Sequence, residues 1–447
     1  MSTAAAAALG DLRLEVASNV RKGALIAIGV TVAIMGYLAY TWFALDFPNL
    51  IARAQPERAL LLATDSVAHK VHVTKFLRRG NMVIAVEGER TATYQEPPDW
   101  VQRTKNDAKV DLGGGYTAEI ASKSLRFTVP GYGEIFVQVT EKGIEAALPP
   151  GPRPDWLRVS KAKFEARPTL GRRIQVTRAK IEIHRFFLGW ENFFFPFNSE
   201  LNAYSFGQLV DLALSDERLD ADKPNWQLIF DTFWNNDGWQ HREVFIALLE
   251  TLMMAVLGTL TAAFVGLPLA LLAASNFTPS QSLRFAVRRL FDFLRGIDML
   301  IWSLIFIRAF GLGPLTGALA IAFTDTGTLG KLFSEALENI DKKQLEGVKS
   351  TGANKLQTYR FGVIPDILPV FISQGLYYLE SNTRSATVIG ALGAGGIGLL
   401  LVETLRTSRD WENTLYIIVL TIVLVIAMDS LSSWLRRRLI QGKQQRP

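Results

Sequence analysis

Apolar residues in this chain gather into long runs at its start and in its second half, while the middle alternates apolar with polar positions. Residues 23–44 form a run of 22 without a charge, with Arg21 and Lys22 before it and Asp46 after it. About 20 helical residues cross a bilayer core, so the run predicts a spanning helix. A cleaved signal peptide would carry a shorter apolar region, of about 7 to 15 residues. From Asp46 to Gln240 charges of both signs are frequent and no run is long enough to span. Within that stretch residues 70–76, 81–87, 124–129 and 134–140 are rich in β-branched and aromatic residues and bounded by glycine or proline, which predicts strands. Residues 173–187 also alternate, with Ile174, Val176, Ile181 and Ile183 separated by polar residues. The aromatic group Trp190, Phe193, Phe194, Phe195 and Phe197 follows, placed either at headgroup level or at the edge of a β-core.

Beyond His241 long apolar runs return: 244–274, then 297–310 and 314–323 broken at Gly311, Gly313 and Pro314, then 363–379 and 411–434. That predicts six spans. Glu250, Arg308 and Pro268 interrupt them, which helices tolerate when buried among other helices. The expected fold class is therefore an all-α polytopic membrane bundle of about six transmembrane helices, with a β-rich extracytoplasmic insert between the first and second. The divisions are 1–45, 46–240 and 241–447, with a cytoplasmic loop at 334–365.

Orientation follows from lysine and arginine near the spans. Arg284, Arg288, Arg289 and Arg295 lie between the second and third; Lys331, Lys342, Lys343, Lys349, Lys355 and Arg360 between the fourth and fifth; Arg436, Arg437 and Arg438 in the tail. With six spans these share one side with Arg21 and Lys22, and the opposite loop at 404–410 has only Arg406 and Arg409. The positive-inside rule then places both termini in the cytoplasm and the insert outside.

Composition agrees. The chain is 49% hydrophobic and only 20% charged, with a mean hydropathy of +0.17. The formal charge of +6 sits beside the spans, where a bilayer partner explains it better than nucleic acid does. The absence of cysteine excludes disulfides, thiolate metal sites and a cysteine nucleophile.

The loop after Ser334 predicts two short helices. Asp341, with Gln344 three residues on, can cap the first, and Gly352 closes it as a C′ glycine. The second starts near Asn354, carries Ala353, Leu356 and Tyr359 at helical spacing, and is expected to stop before Pro365. Such an element suits a groove on a cytoplasmic partner.

Glu346, Gly347, Val348, Gly352, Gly362, Ile364 and Pro365 resemble, in spacing, the coupling-loop signature of bacterial ABC-importer permeases. Gly347 and Val348 stand where that signature has alanines, Gly362 where it has isoleucine, and Ile364 where it has leucine. Residues 382–398 are similar to methionine-type permeases and most of all to phosphonate-transporter permeases, as are Glu250 to Leu252, Gly258, Pro268 to Ala274 and Leu294 to Ile297. The resemblance covers about 244–438. It implies a type I ABC importer permease fold and a bacterial inner-membrane, multi-pass subunit for import of phosphonate or a related phosphorus oxyanion. The implied partners are two cytoplasmic ABC ATPase subunits, a periplasmic solute-binding protein and a second permease copy, identical or paralogous. On this reading Leu345, Glu346, Gly347, Gly352, Ala353 and Pro365 couple to the ATPase. Glu250, Arg308, Arg384, Gly393, Gly395, Gly396 and Gly398 belong to the gate or translocation path.

Competing chemistry is thin. Gly393, Gly395 and Gly398 satisfy G-x-G-x-x-G, but a dinucleotide site needs a βαβ unit and an acid about 20 residues on. Lys349-Ser350 follows Val348 where a phosphate-binding loop requires glycine, so ATP has to be hydrolysed by a partner. His69 and His72 fall on opposite faces of an alternating strand, which argues against a metal site. No catalytic residue, cofactor or metal is expected. A membrane-anchored sensor would need an output domain, and 13 residues follow Trp434. A methionine-type or other small-solute permease is the alternative within the same fold.

Overall fold

The computed structural model describes residues 3–54, 56–87, 92–104, 107–340, 342–407 and 411–441. They fall into two compact units, one reaching to Leu62 and one running from Ala63 onward. The first holds α1 (Thr3–Ala44), α2 (Phe47–Ala52) and the start of α3 (Pro56–Val67). In α1 the segment Val20–Ala44 is long and apolar enough to cross a membrane. Asp46 then adopts left-handed backbone geometry (φ 55°), and Trp42 stacks on Phe47 at 5.0 Å.

The second unit opens with twelve strands: β1 (Ala68–Phe76), β2 (Met82–Val86), β3 (Val101–Arg103), β4 (Ala108–Gly113), β5 (Tyr116–Ala121), β6 (Ser124–Val129), β7 (Gly133–Thr140), β8 (Gly143–Ala147), β9 (Leu157–Val159), β10 (Lys163–Thr169), β11 (Arg172–Thr177) and β12 (Lys180–Leu188). They make two six-stranded antiparallel sheets, β2-β1-β12-β11-β10-β9 and β3 to β8 in chain order. Inward residues alternate along each strand, and both sheets bury one shared core around Val73, Val110, Phe127, Phe164, Ile174 and Ile183. The alternating stretch 173–187 is two strands joined at Thr177, whose Oγ1 accepts from the Lys180 N–H at 3.2 Å. The chain enters on β1 and leaves on β12, which pair along their whole length with Ala68 opposite Leu188. A module whose ends lie side by side can be inserted into a loop without disturbing its flanks.

The strands stop at Leu188. Between residues 200 and 234 lie a short 3-10 turn (Glu200–Ala203) and two helices, α4 (Phe206–Leu214) and α5 (Asn225–Trp234). Buried Asn225 fastens the loop between them, its amide donating to Leu212 O and Glu217 O and its Oδ1 accepting from Leu219 N–H. The aromatic group after β12 forms a joint with the membrane helices. The Phe193 ring lies 4.8 Å from Trp239, 4.9 Å from His241 and 5.3 Å from Tyr416. His241 Nε2 donates to the Phe193 carbonyl at 2.8 Å, so Nδ1 is the acceptor for the Tyr416 hydroxyl at 2.9 Å.

The remaining helices are α6 (His241–Ala273), α7 (Gln281–Gly296), α8 (Met299–Phe310), α9 (Pro314–Glu338), α10 (Lys342–Ser350), α11 (Lys355–Thr358), α12 (Ile364–Ile389), α13 (Gly396–Thr407) and α14 (Trp411–Gln441). Among the described residues His241–Ala273, Tyr359–Ala394 and Trp411–Leu439 join Val20–Ala44 in being long and apolar enough to span. Two expectations change. The run at 314–323 continues as helix to Glu338, and the arginine-rich segment between the second and third predicted spans is the amphipathic helix α7, burying Val287, Phe291 and Leu294.

The bundle is packed with small residues. On α6, Ala247, Ala255, Gly258, Ala262, Gly266 and Ala270 are buried, while Phe245, Leu249, Met253, Leu257, Leu260 and Phe264 are exposed. A Cβ on Gly258 would stand 2.7 Å from the Ile321 side chain on α9, and one on Gly266 3.3 Å from the Gly330 nitrogen. Close backbone approach through small residues is how helices associate where lipid already solvates the large ones.

Candidate functional site

Between α10 and α11 the chain makes the tight turn expected near Gly352. The Gly352 N–H donates to Lys349 O at 3.0 Å and its φ is +82°, a left-handed conformation that L side chains resist. Asn354 then starts the second helix with a reciprocal cap: its Oδ1 accepts from the Gln357 N–H at 2.8 Å, and Gln357 Oε1 accepts from the Asn354 N–H at 2.9 Å. The turn frames an open concavity of about 780 Å³ lined by Gly347, Val348, Thr351, Gly352, Ala353 and Phe361, among others. Glu346 is exposed on α10 beside it. Asp341, the expected cap of α10, and the side chain of Leu345 lie outside the described residues.

The second helix does not stop before Pro365. Helical geometry continues through a π-turn at Tyr359–Val363 straight into α12. Proline at 365 lacks an N–H and crowds the carbonyl four residues back, and the wider turn accommodates both effects. Ile364 donates to Tyr359 O within that turn. The short helix α11, the π-turn and α12 are therefore one continuous rod.

The glycine run after α12 leaves helical geometry at Gly393 (φ +115°) and Gly395 (φ +87°), and α13 starts at Gly396. Helix rather than strand precedes it, so no dinucleotide fold is present there. Its start is capped from another helix: Glu250 Oε2 accepts from the Gly396 N–H and Thr251 Oγ1 from the Ile397 N–H, each at 2.9 Å. A carboxylate suits the positive end of a helix, which gives Glu250 a structural hydrogen bond. Gly398 packs so closely that any Cβ would collide with the Thr387 carbonyl. Arg308, in the last turn of α8, and Arg384, on α12, are both exposed and form no ion pair among the described residues.

One constellation escaped the sequence reading. Asn382 Nδ2 donates to Asp325 Oδ2 at 2.5 Å and to Thr259 Oγ1 at 2.9 Å, joining α12, α9 and α6. All three residues are buried, Asp325 to 2% exposure. An acid within a membrane bundle is expensive to bury and by default functional. The clue was a lone acid in Thr324-Asp325-Thr326, just past the predicted span.

Among the described residues no group of three or more His, Asp or Glu is arranged to bind a metal ion. His69 pairs with Glu191 at 2.8 Å. On the other face of β1, His72 lies 5.8 Å from its cross-strand neighbour His184. Burial, then the charge of His184, hold the His72 imidazole below its ordinary value of 6.5. Burial opposes the Glu87 carboxylate, but hydrogen bonding and charge from His184, with Lys70 and His72, hold it at about 2.

Residues 266–441 match the family of binding-protein-dependent transport system inner membrane components. A phosphite transport system permease protein of Stutzerimonas stutzeri is 35% identical over 190 residues, covering 42% of this chain and 69% of that one. The chain belongs to this permease family. It is thus a non-catalytic, multi-pass inner-membrane subunit of an ABC importer. An Escherichia coli protein named for a cryptic phosphonate transport system is 48% identical to this permease over 122 residues, 27% of this chain and 99% of that one. A phosphate-import permease protein of Mycolicibacterium smegmatis is 37% identical over 199 residues, 44% of this chain and 37% of that one.

Proposed function

We propose that this permease carries a phosphorus oxyanion, phosphonate or phosphite class, inward across the bacterial inner membrane. The observation that carries the reading is the identity to permeases named for phosphite, phosphonate and phosphate transport. The unit would pair with a second copy or a paralogue, two cytoplasmic ATPases and an external solute-binding protein. Six spans are counted from the four long apolar helices together with α8 and α9; both termini then face the cytoplasm and the β-module lies outside. The α10 to α11 turn would seat on the ATPase through Glu346, Gly347, Gly352 and Ala353, with Leu345 and Pro365 flanking. ATPase closure would move the rod that starts at Asn354, and with it Asn382 and the Gly393 to Gly398 joint, where Glu250 caps α13. Arg384 and Arg308 would ease the anion through by offsetting its desolvation.

The test is uptake by the permease reconstituted with its ATPase and binding protein. Phosphite or a simple phosphonate should be imported in an ATP-dependent manner, with phosphate the poorer substrate. Uptake blocked by methionine and untouched by every phosphorus oxyanion would move the protein to the methionine branch. Gly352→Val should abolish uptake while the protein still inserts; wild-type uptake in that variant would remove the turn from coupling. For topology, Thr104→Cys should react with an impermeant maleimide in intact cells and Ser350→Cys should not.

A further inference from the structure

The β-module carries a feature that packing alone does not explain. Arg172 on β11 and Arg185 on β12 are direct cross-strand partners. Each follows the alternation of its strand's buried residues, Ile174 and Val176 for one and Ile181 and Ile183 for the other, so both guanidiniums face inward at one end of the sandwich. Like charges directly opposite each other destabilise a sheet. Nearby basic residues are matched with acids: Arg173 with Glu165 at 3.1 Å, Arg167 with Asp65 at 3.3 Å, Lys163 with Glu165 at 2.8 Å. Neither Arg172 nor Arg185 forms an ion pair among the described residues. The Asp111 carboxylate, on β4, is exposed on the outer side of its sheet and accepts from the Gly113 N–H at 2.8 Å.

Part of each guanidinium is held in place. Arg172 Nε donates to Leu112 O at 2.9 Å and Nη1 to Thr169 Oγ1 at 3.1 Å; Arg185 Nη1 donates to Asp111 O at 3.0 Å. Aromatic rings fix the planes, with Tyr116 4.3 Å from Arg172, and Phe187 at 4.9 Å and Trp100 at 5.3 Å from Arg185. Among the described residues both Nη2 groups are left without a protein partner, and neither is sealed from solvent. They converge on a turn without side chains: a Cβ on Gly113 would lie 3.6 Å from Nη2 of Arg185 and 3.7 Å from Nη2 of Arg172, and one on Gly114 only 2.9 Å from the latter.

We infer that Arg172 and Arg185 form an oxyanion site in the β-module, taking a tetrahedral phosphorus oxyanion between their free Nη2 donors. Planar guanidiniums held at fixed angles are suited to forked recognition of such groups, and an anion there relieves the repulsion between them. The choice of phosphorus oxyanion rests on the proposed function; the site itself rests on the two arginines. It gives the module a role in holding the transported class of solute.

The experiment uses the full-length permease in nanodiscs and an arginine-selective dicarbonyl read by peptide mass spectrometry. Phosphite, methylphosphonate or inorganic phosphate should each protect Arg172 and Arg185 from modification in a saturable manner, and exposed Arg78 should be unprotected. By calorimetry, Arg172→Gln and Arg185→Gln should each bind phosphite about ten- to a hundredfold more weakly, with Arg172→Lys between them and wild type. Protection requires no variant to fold, so a misfolded Gln variant does not rescue the idea. Unprotected arginines at millimolar phosphite, or protection given only by the binding protein, overturn the site. If that failure accompanies phosphite uptake by the assembled importer, the function stands without the site. If protection is seen but no phosphorus oxyanion is taken up, the site stands and the function falls.

Discussion

The sandwich and the membrane bundle solve burial in opposite ways. In the sandwich the large side chains go inside: Phe127, Phe164, Ile174 and Ile183 are fully buried between sheets. In the bundle alanine, glycine and threonine face inward, and Phe245, Leu257 and Phe264 look outward. Water drives the first arrangement. Lipid gives no such drive, so helices are held by close backbone contact and a few buried hydrogen bonds. A substitution that is harmless in one core should therefore be ruinous in the other.

Substitutions at four positions break or sharpen that contrast. The largest effect is expected for Gly258→Leu, whose side chain would meet both Ile321 and the Ala318 carbonyl. The α6 and α9 pair would have to part, and no monodisperse permease should be recovered. Recovery at wild-type yield would show that the small-residue contact is not what holds the bundle. Next, Phe164→Ala should cost the sandwich about 3–5 kcal/mol. Protease sensitivity should rise within 68–188 while the helical bundle stays resistant, and cleavage spread evenly over both regions would mean that the two cores are not separate.

Glu250→Ala removes one of the two acceptors at the start of α13 and should lower thermal stability by roughly 1 kcal/mol, with uptake reduced more than stability. Glu250→Gln, which keeps an acceptor oxygen, should recover most of both. Equal losses in the two variants would assign the effect to charge in the translocation path instead of the cap. The smallest effect concerns pH. Because burial lowers the His72 value in the fold, the unfolded chain binds more protons just below the ordinary value. Stability from this group is present above pH 6.5 and is lost as pH falls through the lowered value. His69, raised by Glu191 against the effect of burial, has the opposite sign, so the comparison has to be made by variant. Melting of His72→Gln should depend less on pH between 5 and 7 than wild type; parallel curves would dispose of the idea.

Much of this was readable in the residues, and the misses have physical causes. Strand β6 was legible at both ends because Ser124–Val129 is an uninterrupted alternation before Pro130. Strands β4 and β5 were not, since their inward residues include only Val110, Leu112 and Ile120 among small alanines, although the Gly113 to Gly115 turn marked a hairpin. Asp325 was missed because polar residues were taken as the end of a span; within a bundle they face a partner, here Asn382. The α7 helix was hidden by its arginines, two of which, Arg284 and Arg288, are held by Glu338 at the end of α9. Proline at 365 was taken for a stop because the π-turn that absorbs it depends on the surrounding packing.

That uninterrupted rod sets a strict rule on spacing. From residue 355 to 389 it is about 50 Å long at 1.5 Å per residue, with the turn at one end and Asn382 near the other. Each added residue would rotate everything beyond it by about 100°. One extra amino acid between Ile367 and Asn382 would aim the amide away from Asp325 while leaving every side chain and every helix intact. The separation between the two ends is thus information in its own right, kept as an angle and not as a sequence.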